Sequence, residues 1–192
     1  DYTLAYSGNT NAGTATITAT GIGGYSGTRT VNFTITAKPL TITGLLGVNK
    51  VYNGNASATA SGTAVLAGIV GSDVVTIVGT PTYTFVQSTV GTGIGITTTG
   101  YTLTGAAAGN YSLTQPTGLT ANITKKELTV TGATASNKVY DGNTSATLTG
   151  ATLVGTVSGD AISISQTVGS FATKTAGDGK TVTAAITLTG AD

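Results

Sequence analysis

The 192-residue sequence predicts an all-β fold, on three observations. More than forty threonines, with scattered valine and isoleucine, supply β-branched side chains suited to a pleated, half-buried surface. Twenty-nine glycines supply the turns between such strands. Apolar and hydroxyl side chains alternate with period two, while only short alanine clusters such as residues 106–108 interrupt that texture, none with a sustained helical period.

The strands follow in order. Residues 31–36 (VNFTIT), 40–43 (LTIT), 128–131 (LTVT), 162–165 (ISIS) and 186–189 (ITLT) each place apolar side chains on one face and polar ones on the other. That is the pattern of a sheet with one face on a core and one in solvent. Gly-rich breaks recur about every 8–12 residues, a spacing typical of sandwiches and barrels.

A long internal repeat sets the domain organisation. Residues 40–62 (LTITGLLGVNKVYNGNASATASG) and 128–150 (LTVTGATASNKVYDGNTSATLTG) align without a gap at an offset of 88, with 14 of 23 positions identical. A second signature closes each copy: residues 16–26 (TITATGIGGYS) and 102–112 (TLTGAAAGNYS) correspond, and a third begins at Thr187. Self-similarity at a fixed period marks an array of modules. The predicted modules are the C-terminal part of one unit over 1–37, a complete unit over 38–124 and a truncated unit over 125–192. Ends that fall inside modules predict a segment of a longer chain. Only about three residues separate the last strand of one module from the first of the next, too few for a flexible tether, so the modules are expected to stack end to end.

Composition narrows the function classes. Charged residues make up 8% of the chain and the net charge is +1, which gives no footprint for nucleic acid or an anionic membrane. No run of 18 apolar residues predicts membrane insertion. With no cysteine, stability is expected from packing alone in modules of nearly 90 residues. Without histidine or cysteine there is no triad, no thiol nucleophile and no nitrogen or sulfur ligand for zinc, so neither an enzyme nor a cofactor is expected.

The repeated Tyr-Asn/Asp-Gly turn and the Gly-Asn-Tyr signature, with threonine-rich strands between them, resemble the YDG and MBG repeat modules of very large bacterial surface proteins of the filamentous-haemagglutinin type. Residues 38–192 resemble YDG units, and 1–37 resembles the end of an MBG unit. The resemblance implies tandem immunoglobulin-like β-sandwiches, a location outside the cell on the bacterial surface, and service as stalk. Neighbouring modules of the same chain, and other copies in a fibre, are then the expected partners.

The candidate site is the repeated turn itself: Tyr52, Asn53 and Gly54 in one copy, Tyr140, Asp141 and Gly142 in the other. The chemistry predicts a tight turn in which the Asx side chain accepts backbone hydrogen bonds, glycine takes a positive φ, and the tyrosine ring lies on the core edge with its hydroxyl bonded. A calcium site would need carboxylates that the Asn53 copy lacks. Asp73 and Asp160 precede strands at matching places and read as turn caps, with a cation held alongside Glu127 as the rival reading. Residues 176–181 (AGDGKT) end like a phosphate loop, but a strand pattern follows where a helix is required, so a Gly-Asp-Gly hairpin is expected. Residues 91–95 (GTGIG) lack the last glycine of a dinucleotide fingerprint. Five Asn-X-Ser/Thr sequons, at Asn32, Asn55, Asn110, Asn122 and Asn143, are expected to be structural. Lys50 and Lys138 repeat without an evident repeated acid partner for an isopeptide crosslink.

The function expected from all this is a structural stalk segment of a secreted bacterial adhesin. The alternatives are a self-assembling fibre subunit that works by strand addition, and a glycan- or surface-binding module. The binding module would use exposed tyrosines, for which Tyr25, Tyr83, Tyr101 and Tyr111 are candidates, or flat threonine ladders.

Overall fold

A computed structural model describes residues 1–191, apart from the side chain of Gln166, and all its regular structure is β except one 3₁₀ turn at Ala108–Asn110. That turn follows the alanine cluster. In chain order the strands are β1 (Tyr2–Ser7), β2 (Gly13–Gly21), β3 (Thr28–Ile35), β4 (Lys38–Gly47), β5 (Lys50–Val51), β6 (Ser57–Ala58), β7 (Ala60–Ala67), β8 (Thr76–Phe85), β9 (Gly91–Thr104), β10 (Tyr111–Thr114) and β11 (Thr120–Thr124). They continue with β12 (Thr129–Thr131), β13 (Thr134–Ala135), β14 (Ser145–Ala146), β15 (Leu148–Thr149), β16 (Thr152–Val154), β17 (Ile162–Phe171) and β18 (Val182–Gly190). Each alternating segment read from the sequence lies in or against one of these strands. The GTGIG segment opens the 14-residue β9.

The chain forms two compact units. The first comprises Asp1–Lys50, Ala56–Gln87 and Gly91–Asn122; the second comprises Val51–Asn55, Ser88–Val90 and Ile123–Asp192. The sheets of the first have strand orders β1-β2-β3, β10-β4-β7 and β5-β11-β9-β8-β6, the last including short stretches assigned to the second unit. Within the second the orders are β12-β16, β13-β15 and β14-β17-β18.

The first unit holds the better-enclosed core. Leu40, Val75 and Tyr111 form a buried cluster, against which Leu66, Leu103, Ala107, Ala108 and Leu113 pack. Phe85, Ile94 and Ile96 are buried on the neighbouring strands. β10 lies parallel to β4, with Tyr111 opposite Lys38 and Leu113 opposite Leu40, and this pairing carries Tyr111 onto the cluster.

The repeat is visible as shared register. Thr41 faces Ala67 and Ile42 faces Leu66 in one copy; Thr129 faces Val154 and Val130 faces Leu153 in the other. Ser57 faces Thr84, and its equivalent Ser145 faces Ser170. Both copies break the first ladder at the same pair of glycines. Gly44 and Gly62 have φ of +85° and +93°, and Gly132 and Gly150 have +73° and +76°. Added Cβ atoms there would lie 2.2–2.7 Å from a backbone oxygen across the ladder, so only glycine lets the two strands approach this closely.

The AGDGKT segment joins β17 to β18. Ala172 donates to the Thr181 carbonyl at 3.0 Å, and Gly179 has φ of +62°. Lys180 folds back onto the Thr173 carbonyl and the Thr175 hydroxyl.

Candidate functional site

Two recurrent side-chain arrangements occupy the positions singled out in sequence. The first is a lysine seated over a phenylalanine ring, which in the second copy also clamps the Tyr-Asp-Gly turn. Gly54 and Gly142 have φ of +81° and +78°, values that suit glycine and turn the chain sharply. Asn55 donates its N–H to the Asn53 side chain at 3.4 Å, and Asn143 donates to Asp141 at 3.1 Å. Lys138 Nζ reaches Asp141 at 2.7 Å, the Asn143 carbonyl at 3.0 Å and Asn143 Oδ1 at 2.7 Å. Lys50 Nζ likewise reaches a backbone carbonyl, that of Ser57, at 3.0 Å.

Each ammonium also sits over an aromatic ring, Lys50 5.5 Å from the Phe85 centroid and Lys138 5.7 Å from that of Phe171. A cation over a ring face is attracted by the ring quadrupole. Partial burial lowers the Lys50 pKa. Lys138, and after it the Asn143 N–H, hold the Asp141 carboxyl below its ordinary range. Asp141 therefore serves as acceptor to a lysine and a backbone amide. Among the described residues no group of three or more His, Cys, Asp or Glu is placed to hold a metal ion. The phenylalanine partners were missed in the sequence, although each follows its lysine at a similar distance along the chain.

The second arrangement is a tyrosine seat. Asp73 N–H closes a turn onto the Val70 carbonyl at 3.1 Å, and Asp160 N–H closes the same turn onto Val157 at 3.2 Å. In the first unit Tyr111 donates its hydroxyl to Asp73 Oδ2 at 2.5 Å and accepts the Val70 N–H at 3.0 Å. The bond to Asp73, followed by burial, raises the Tyr111 pKa. In the second unit Asp160 Oδ1 takes a different tyrosine: Tyr52, from the repeated turn, donates to it at 2.8 Å. Tyr52 N–H is held by the Thr124 carbonyl at 2.8 Å. The two aspartates thus do more than cap turns, since each anchors a tyrosine hydroxyl.

The tyrosines correct two expectations. Tyr140 does not lie on the core edge; it is 63% exposed. Of the four tyrosines expected on the surface, only Tyr25 is largely exposed, at 69%. Tyr111 is buried in the core, and Tyr83 and Tyr101 share a part-buried hydroxyl–hydroxyl bond of 2.7 Å. No aromatic platform is formed by those four. Cross-strand hydroxyl pairs do occur, at Thr82–Thr99, Thr131–Thr152 and Thr134–Thr149. Four of the sequon amides are engaged within the fold: Asn110 with Ala12 and Asn11, Asn122 with Gly93, Asn32 with Thr16, and Asn143 with Lys138 and Ser145.

Burial, and then the bond to Tyr101, push the Tyr83 pKa up to about 12. The folded unit therefore keeps this proton at a pH where the unfolded chain, with its tyrosine pKa near ~10, releases it. Its stabilising contribution is complete below about pH 10 and is lost as pH rises towards 12. Thermal melts between pH 9 and 12 should show the first unit losing stability over that window, and Tyr83→Phe should flatten the loss. A parallel decline in the variant would refute the assignment.

These observations define a class: an all-β protein made of a duplicated strand module in which a lysine sits over a phenylalanine and a tyrosine hydroxyl is anchored on an aspartate. Residues 36–118 and 124–192 match the YDG domain family, and the chain belongs to that family. Neither the curated proteins nor the solved structures give a significant match.

Proposed function

We propose that this chain is a structural spacer: immunoglobulin-like sandwich modules of YDG type, following an MBG-like segment, stacked end to end in a secreted bacterial surface adhesin. The observation that carries the reading is the economy of the repeat. The same register, the same glycine pair and the same lysine-on-phenylalanine clamp recur in both copies. The side chains that recur are committed to holding turns and strands, which is the expectation for a mechanical element and not for a reactive one. Only the four residues 125–128 connect β11 to β12, a connection too short to behave as a free tether. A threonine-rich, weakly charged surface suits a segment whose work is to hold something else at a distance. Each module adds roughly 35–45 Å if its strands run along the stack, at ~3.3 Å per residue.

Small-angle scattering of the full chain tests this reading. A compact globule of 192 residues has a radius of gyration of about 16 Å. The stacked spacer should give a value well above that, with the pair-distance profile of a rod. A value near that of the globule would end the proposal.

A further inference from the structure

The repeated turn differs between its two copies at one chemically active position. Asn53 precedes Gly54, the only Asn-Gly pair in the sequence, and the equivalent pair is Asp141-Gly142. Asn53 and Gly54 are both exposed. The Asn55 N–H donates to Asn53 Oδ1 at 3.4 Å, so the asparagine side chain folds forward over the Gly54 peptide as an Asx turn. That fold brings the side-chain carbonyl carbon, Cγ, towards the main-chain nitrogen of Gly54. No Cβ on residue 54 obstructs the approach, and a φ of +81° reserves the position for glycine.

The other copy shows how the same turn receives an acid. Asp141 accepts the Asn143 N–H at 3.1 Å and the Lys138 ammonium at 2.7 Å, and Gly142 keeps a φ of +78°. Lys50 is placed over Phe85 as Lys138 is over Phe171. Beside the neutral Asn53 its ammonium rests on the Ser57 carbonyl at 3.0 Å. A carboxylate binds an ammonium and a backbone N–H more strongly than a carboxamide oxygen does. The lysine of the first copy is therefore already stationed for a charge that its turn lacks.

We propose that Asn53 is a site of spontaneous deamidation in the folded chain, and that the aspartate so formed takes the Lys50 ammonium as Asp141 takes that of Lys138. The Gly54 main-chain nitrogen, after giving up its proton, attacks Asn53 Cγ. The bond from Cγ to Nδ2 breaks, ammonia leaves, and a five-membered succinimide joins residues 53 and 54. Water then opens the ring. Attack at Cγ restores the ordinary backbone and leaves aspartate; attack at the main-chain carbonyl leaves isoaspartate. The net reaction consumes one water and releases one ammonia, with no oxidant or reductant. It turns a neutral turn into one that carries a negative charge. The modification does not rest on the spacer reading, because it involves one turn and its own lysine.

The test ages the full folded chain at mildly alkaline pH, beside the same chain unfolded in urea, and follows both by peptide mapping with mass spectrometry. The expected result is the amide-to-acid mass gain at residue 53, at a rate within a few-fold of the unfolded chain. Aspartate and isoaspartate should both appear, and the other asparagines of the folded chain should keep their amides. Asn53→Gln, which would need a six-membered ring to cyclise, should abolish the gain. A gain confined to the unfolded chain means that the fold protects the amide, and overturns the proposal. Asn53→Asp supplies the product directly. Its new carboxyl should titrate below the ordinary aspartate range by NMR, and the Asn55 amide should exchange about fivefold more slowly than in the parent, as its acceptor becomes charged. Lys50→Met in that background should return the carboxyl to the ordinary range, with unchanged exchange across β8 and β9 showing that the fold is kept. A coupling through the hydrogen bond, from the Lys50 ammonium to the new carboxyl, gives the same reading with the lysine in place. A carboxyl that titrates in the ordinary range and shows no such coupling overturns the lysine's part.

Discussion

Gly62→Ala is expected to destabilise the first unit by about 3 kcal/mol. Two costs combine. Gly62 has φ of +93°, where an L side chain is strained by ~1–2 kcal/mol. An added Cβ would also lie 2.2 Å from the Gly44 carbonyl oxygen, a backbone atom that no rotamer change can move. Relief requires β4 and β7 to part where their ladder already skips from Thr43 to Leu45. The hydrogen bonds flanking that bulge are lost with it. For a module of this size such a loss lowers the melting temperature by more than about 10 °C. Gly150→Ala in the other copy should cost less, because its Cβ would lie 2.7 Å from the Gly132 oxygen. Gly24→Ala is the control: its φ is ordinary and nothing lies within 4 Å. Scanning calorimetry of the three variants orders them, and a Gly62→Ala shift as small as that of Gly24→Ala would refute the argument.

Those glycines show what the sequence could and could not convey. Their identity in both copies was plain, but their purpose was not. A glycine pair 18 residues apart acquires meaning only when strand pairing brings the two backbones together. Alternation located strands because period two is a local property, and the repeat fixed equivalent registers because it compares the chain with itself. Pairings between distant residues were harder. Tyr111 reads as a surface tyrosine beside Gly-Asn, yet Asp73, 38 residues earlier, takes its hydroxyl and lets the ring be buried. Tyr52 and Tyr140 occupy identical motifs, yet Tyr52 finds Asp160, while Tyr140 stays exposed at the surface. A motif specifies the turn; the acceptor opposite it decides where the ring goes. The lysine–phenylalanine clamps lay between these extremes. They were repeated and therefore detectable, but a cation above a ring leaves no mark on hydrophobic periodicity.

The second large effect separates the two copies of one leucine. Leu40→Ala should cost about 3 kcal/mol, the middle of the range for a fully enclosed leucine, because its cavity would be walled by Val75, Tyr111 and Leu66 and could not collapse easily. Leu128, at the equivalent position, is part-buried beside an open groove, so Leu128→Ala removes less buried surface and leaves no sealed cavity. A loss of about half that size is expected. Native-state hydrogen exchange can read both in their own strands, following the β4 amides in one variant and the β12 amides in the other. Identical residues in identical registers would then differ in energetic weight for one reason: β10 covers the first and nothing described covers the second. Equal losses would mean that Leu128 is as enclosed in solution as Leu40.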